Sequence, residues 1–324
     1  MLVLGIVAVL AVIPVFWFSY AATEDLEVYY LDIGQGDATL IKTPFGQNIL
    51  IDGGPDDKII SELSDSLPWW DKNIDLMVLT HPHDDHVAGL IDVIKRYNVK
   101  RILYTGVVHT SPYYIEWLQL VRDYNIPMVI IDRPQKIILN GVPSQAEDDK
   151  CYLDVLYPRE SLLGKTVENL NNSSIVMKLV YGETSFLFTG DAELEVEEEL
   201  TSPRPSPFEG EGASTPPPTP PLDRGGESSR SVDLSADVFQ AGHHGSDTSN
   251  SQEFLEAVFT PPLSSPYKGE ERFFIIQVGK DNDFGHPSRR VIKRVERLGA
   301  RVFRNDLDGT VRLVSNGQTI TYNP

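Results

Sequence analysis

Thr80-His81-Pro82-His83-Asp84-Asp85-His86 decides how this chain is read. Three of its seven histidines and two carboxylates stand within residues 81–86. Neutral imidazoles and carboxylates are the usual ligands of zinc and its neighbours, and crowding them is costly unless a cation binds. The apolar run Ile74 to Leu79 just before the block reads as a buried strand. Val87, Leu90, Ile91 and Ile94 follow at helical spacing. A strand-end loop can turn His81 and His83 to one side, and the helix start can present Asp85 and His86 to an adjacent point. That pattern suits two divalent ions a few ångströms apart.

Outward from this block the chain alternates strands and helices. Leu26 to Ile33, Ala38 to Lys42 and Gln47 to Ile51 read as strands joined by turns at Gly34-Gln35-Gly36 and Pro44-Phe45-Gly46. Further strands are expected at Arg101 to Tyr104, Met128 to Ile131, Tyr152 to Leu156, Ser174 to Val180, Ser185 to Phe188 and Phe273 to Val278. Helices are expected over Val87 to Tyr97, Tyr113 to Tyr124, Gln252 to Val258 and Ser288 to Leu298. Hairpins in both halves with alternating β and α units imply two mixed sheets packed together with helices outside. Two stretches break this rhythm, 201–231 and 260–272. They share the repeat Ser206-Pro207-Phe208-Glu209-Gly210-Glu211 and Ser265-Pro266-Tyr267-Lys268-Gly269-Glu270. Both read as insertions into one domain, the first too rich in Pro, Gly and Ser to build a core.

Composition narrows the function classes. Against 28 Lys and Arg stand 47 Asp and Glu, a formal charge of −19. Such a surface does not coat nucleic acid through a broad basic face. A single cysteine, Cys151, excludes a disulfide framework and a Cys-rich zinc module. It opens a strand and is expected to be buried and inert. Met1 to Ala22 carries no charged side chain, long enough for a membrane-spanning helix, with Trp17 and Tyr20 at its end. A single-pass anchor with the remainder outside the cytoplasm is one reading. A signal peptide cleaved near Ser19-Tyr20-Ala21 is the second, and a buried helix the third.

The histidine block resembles the signature of the metallo-β-lactamase fold superfamily. Seven stretches in order resemble, more specifically, the soluble domain of ComEC-type competence (DNA-uptake) proteins. They are Leu31-Asp32-Ile33-Gly34-Gln35-Gly36-Asp37-Ala38, Leu50-Ile51-Asp52-Gly53-Gly54, the histidine block, Asn171-Asn172-Ser173-Ser174, Phe188-Thr189-Gly190-Asp191-Ala192, Gln240-Ala241-Gly242-His243-His244-Gly245-Ser246 and Phe284-Gly285-His286-Pro287. The resemblance implies an α/β fold, a four-layer αββα sandwich over residues 23–324 behind an N-terminal transmembrane helix, residues 1–22. It implies a metal set of His81, His83, Asp85, His86, Asp191 and His243, with Asp191 bridging two ions. His244, beside His243, is expected nearer the substrate or behind the ligands, and the choice between the two stays open. Many relatives supply a further histidine where this chain has Asn172 and Ser173. His109 lies outside any matching motif and reads as an ordinary surface residue. The first ion, on His81, His83 and Asp191, is therefore expected to have an open position, which suits manganese as well as zinc, with one or two ions held.

Asp52, before Gly53-Gly54, is expected to orient a ligand histidine. Asp85, His244 and His286 are expected nearest the chemistry, and Asp37, His286, Ser246 and Asn172 nearest the substrate. His286 precedes a helix start, where anions are favoured. Glu193 to Glu199 reads as a solvated face at a helix start. The function implied is a membrane-held hydrolase of phosphodiesters, DNA first, with a separate multi-pass channel protein as a partner. A small ester, lactone or β-lactam hydrolase and a non-catalytic binding module are the alternatives.

Overall fold

The computed structural model describes residues 25–139, 151–202, 232–260, 271–280 and 282–324. The expected N-terminal helix and nearly all of both expected insertions lie outside the described residues. Among the described residues no helix is long and apolar enough to cross a membrane.

The strands are β1 (Leu26–Tyr30), β2 (Thr39–Lys42), β3 (Asn48–Ile51), β4 (Asn73–Ile74), β5 (Leu76–Val78), β6 (Asn98–Val99), β7 (Ile102–Tyr104), β8 (Met128–Ile130), β9 (Gln135–Ile138), β10 (Cys151–Tyr157), β11 (Val176–Tyr181), β12 (Thr184–Phe188), β13 (Val238–Gln240), β14 (Phe273–Ile276), β15 (Arg301–Arg304), β16 (Val311–Ser315) and β17 (Ile320–Tyr322). The helices are α1 (Lys58–Ser66), α2 (Asp84–Arg96), α3 (Pro112–Asp123), α4 (Leu194–Thr201), α5 (Gln252–Phe259), α6 (Arg289–Arg297) and α7 (Asn305–Asp308). One sheet has the order β17-β16-β1-β2-β3-β5-β7-β8 and the other β15-β14-β13-β12-β11-β10-β9. Each is antiparallel in one half and parallel in the other.

Side chains on a strand alternate between faces, and here both faces are buried. On β1, Leu26, Val28 and Tyr30 join the core between the sheets, while Tyr29 packs on the helix side. On β14, Phe273 and Ile275 face the other sheet, and Phe274 and Ile276 face helices. Helices α1, α2 and α3 cover the first sheet through Ile59, Leu63, Leu90, Ile94 and Trp117. Helices α4, α5 and α6 cover the second through Val196, Phe254, Val258 and Val291. The layers are therefore αββα, as expected. Helix α2 starts earlier than its apolar spacing implies, at Asp84. The acidic first turn, Asp84 and Asp85, suits the helix dipole.

Candidate metal centre

The site forms where strand ends of both sheets meet. Asp37 follows β1, Asp52 follows β3, and His81, His83, Asp85 and His86 follow β5. Asp191 follows β12, and His243 and His244 follow β13. Close backbone approach is what brings these loops together. A Cβ on Gly36 would stand 2.3 Å from the Asp85 carbonyl oxygen, and one on Gly89 would stand 1.9 Å from that of Gly53. Asp52, His243 and His244 hold φ of 56°, 49° and 54°, left-handed backbone that costs energy in residues bearing a side chain.

Asp191 lies at the middle, buried. Its Oδ1 is 3.3 Å from His86 Nε2, and its Oδ2 is 3.7 Å from both His81 Nε2 and His244 Nε2. Two sets of potential ligand atoms result, His81 with His83 and Asp191, and Asp85 with His86 and His244. A third, overlapping set joins Asp37 to His86 and Asp191. Within each set the atoms lie within 4.8 Å of one another. Asp37 Oδ1, His86 Nε2, Asp191 Oδ1 and His244 Nε2 are buried and make no hydrogen bond, meeting only charge partners at 3.1–3.3 Å. Such atoms are expensive, and four in one place fit divalent cations in reach of all of them. An imidazole and carboxylate set accommodates zinc, manganese or iron.

The rings of His86 and His244 are fixed from behind. His86 Nδ1 lies 2.8 Å from Asp52 Oδ2, and Asp52 also accepts from the Thr80 amide and hydroxyl. His244 Nδ1 lies 3.0 Å from the Gln277 carbonyl and 3.1 Å from Asp37 Oδ1. Such partners set tautomer and ring orientation. Burial, helped by His86, pushes the His81 imidazole well below its usual pKa, and burial lowers His83 too. Burial also opposes charge on His86 and His244, yet Asp191 with Asp52 or Asp37 outweighs it and raises both well above the usual range. These carboxylates demand positive charge, as protons on the rings or as metal ions between them.

The two adjacent histidines exchange the places expected of them. His244 enters the cluster, with Nε2 3.3 Å from Asp85 Oδ2. His243 joins none of the sets and is partly exposed at the margin, with Nε2 3.9 Å from Asp191 Oδ2 and Nδ1 3.1 Å from Glu193 Oε1. Both residues hold left-handed backbone, and their rings meet different neighbours, Glu193 for His243 and Asp85 for His244. His286 stands beside His243 at the mouth, ring centroids 5.5 Å apart.

Other expected positions differ. Asn172 is turned away from the cluster: its Oδ1 accepts from the Glu193 amide and its Nδ2 donates to Glu195. The Ser246 hydroxyl is held inside its own turn by Thr248. The Ser173 hydroxyl donates to the Leu170 carbonyl, and the Ser174 hydroxyl accepts from the Asp191 amide. The solvated face expected for 193–199 is corrected at two residues. Glu193 accepts from Asn169, Asn171 and Thr248. Glu197 is buried and accepts from the amides of Asn250 and Ser251, fixing the chain after the histidine pair. Their acidic neighbours on α4 hid these two in the sequence. His109 comes near the site only through the edge of His83, with centroids 6.3 Å apart. Cys151 is buried, as its strand position implies, and burial pushes its thiol up to about 12.

Fold and site together define a metal-dependent hydrolase. The chain belongs to the metallo-beta-lactamase superfamily, whose family model matches residues 31–262. It is similar to ComE operon protein 3 of Bacillus subtilis (strain 168), 26% identical over 88% of this chain and 32% of that protein. It is likewise similar to competence protein ComA of Neisseria gonorrhoeae, 26% identical over 87% of this chain and 31% of that protein. The chain thus spans about a third of the length of the curated relatives it matches. Among solved structures it resembles CmlA, a diiron β-hydroxylase from Streptomyces venezuelae (TM-score 0.48, 15% identity, 90% of this chain and 54% of that one). It also resembles Igni18, a metallo hydrolase from Ignicoccus hospitalis (TM-score 0.45, 14% identity, 88% and 98%).

Proposed function

We propose that the chain is a metal-dependent phosphodiesterase that cleaves DNA outside the cytoplasm during uptake. Residues 1–22 hold it at the membrane, and a separate multi-pass channel protein is its partner. The observation that carries the reading is the convergence of His81, His83, Asp85, His86, Asp191 and His244, with four buried ligand-type atoms left without hydrogen bonds. Zinc or manganese there supplies Lewis-acid polarisation of a phosphoryl oxygen and a lowered pKa for water.

The chain's own residues do the positioning. Asp52 sets the His86 ring, and Asp37 and the Gln277 carbonyl set His244. Glu193 sets His243, which with His286 lines the mouth where phosphate oxygens arrive. A chain of −19 repels DNA elsewhere, so productive contact is confined to the cations. The same charge favours a second reading, a small phosphodiester or lactone as substrate.

The test is to purify the chain, measure bound metals, and assay single-stranded DNA, bis-p-nitrophenyl phosphate and a lactone. Metal-dependent turnover of the phosphodiesters is expected. Turnover of the lactone alone, or a protein that takes up no metal, overturns the proposal.

A further inference from the structure

At the end of the first sheet remote from the metal centre, three aromatic side chains stand in solvent. Phe45, on the turn between β2 and β3, is 47% exposed. Trp69 and Trp70, between α1 and β4, are 80% and 55% exposed, their rings edge to face at 5.5 Å. Exposed paired tryptophans are uncommon enough in a soluble surface to need a reason.

Strand direction fixes where they lie. β3 and β5 are parallel and both end at the metal centre, in Asp52 and His81, so the residues just before them lie at the far end. β1 is antiparallel to β2, and β2 to β3, so β1 begins at that same far end. The register is continuous across it. Glu27 faces Lys42, Lys42 faces Asn48, and Asn48 Nδ2 donates to Asp71 Oδ2 at 2.8 Å. Two strand spacings, roughly 10 Å, therefore separate the start of β1 from the base of the Trp loop. Four residues before Leu26 stands Ala22, the last apolar residue before the first charge at Glu24.

Charge agrees with this placement. Helix α2 runs from Asp84 at the metal centre to Arg96 at the far end, and residues 95–101 carry four cations and no carboxylate in a chain of −19. Lys95, Arg96, Lys100 and Arg101 are exposed, as is Lys72 beside the tryptophans. Lys95 pairs with Glu116 and Lys100 with Asp75. Asp71 and Asp75 share this end, yet aromatic rings with Lys and Arg close by are the composition of a bilayer interface, where amphipathic rings sit among headgroups and cations meet phosphates.

We infer that this end of the domain rests on the phospholipid surface, with Phe45, Trp69 and Trp70 seated among the headgroups. The contact holds the metal centre facing away from the bilayer, toward arriving substrate. It rests on the reading of residues 1–22 as an anchor, and adds an orientation that an anchor alone does not impose.

The experiment uses the full chain in nanodiscs containing acyl-chain-brominated lipids, which quench tryptophan on contact. In Trp17→Phe the reporters are Trp69 and Trp70, because Trp117 is 0% exposed and serves as an unquenched reference. In the double variant Trp69→Phe/Trp70→Phe the reporter is Trp17. Loss of emission and a blue shift in both proteins are expected. Quenching of Trp17 with unquenched Trp69 and Trp70 overturns the surface contact and leaves the anchor standing. Quenching of Trp69 and Trp70 alone supports the contact and removes the spanning anchor. No quenching in either overturns both.

Discussion

Two loops supply most of the metal centre, and they were not equally readable. The loop at 81–86 packs its donors into consecutive positions between a strand and a helix. Its histidines and Asp85 land where that local geometry sends them. The turn at Gly242–Gly245 offers two adjacent histidines, and only backbone conformation decides between them. Both are left-handed, one ring goes into the cluster and one to the rim, and the outcome depends on Asp37 and Gln277 from distant parts of the chain. A dense motif therefore announces its donors, whereas a sparse one leaves open which of its residues faces the cluster.

The comparison can be broken most severely at Asp191, which touches both loops. Asp191→Ala is expected to remove bound metal and lower phosphodiester turnover by about a thousandfold, some 4 kcal/mol of barrier. Metal analysis and steady-state kinetics on the folded variant check this, and near-normal turnover would remove Asp191 from the centre. The two histidines come next. His244→Ala is expected to lose metal at one site, while His243→Ala keeps the metal content and loses about tenfold in turnover. The reverse order of metal loss would return His243 to the ligand set.

A smaller effect tests the support of the dense loop. Asp52→Asn leaves the His86 ring without its carboxylate and is expected to weaken metal affinity by about 10- to 100-fold, read by competition with a chelator. On the sparse side, Glu193→Gln is expected to keep full metal content and to shift turnover only to the extent His243→Ala does. An additive loss in the double variant would show that Glu193 does not act through His243.

The smallest expected effect concerns stability away from both loops. Asp237 is buried at the start of β13, and burial pushes its carboxyl up to about 6 despite hydrogen bonds from the Ser185 amide and hydroxyl. The folded state then holds a proton that the unfolded chain releases near pH 4. Its stabilising contribution is full below about pH 4 and is lost as pH rises through 6. Asp237→Asn is expected to flatten that slope, gaining on the order of 2 kcal/mol over the parent at pH 7.5 relative to pH 4.5. Urea unfolding at the two pH values measures it, and parallel stability curves would reject the buried-proton account.

Much of the fold was legible because nearly every strand is a short apolar run or an alternation, as in Leu26–Tyr30 and Phe273–Ile276. Helix α1 is hard to read from sequence because it is nine residues long and only Ile59, Ile60 and Leu63 in it are apolar. Strand β9 escaped because it is a half-exposed edge of its sheet. At the site, Glu193 and Glu197 looked like solvated charge because a run of acids on one helix hides which of them turn inward.

Local sequence marked a dense block of metal-type donors at residues 81–86 between a strand and a helix, because close-spaced donors are a short-range fact, while the family resemblance pointed to Asp191. Tertiary structure alone decided that His244 rather than His243 faces the cluster, that Asn172 and Ser246 are engaged elsewhere, and that Phe45 and Trp69-Trp70 share the end of the sheet where β1 begins. Those outcomes depend on which parts of the chain meet after folding, and a side chain's neighbours across more than a hundred residues are not written in its own surroundings.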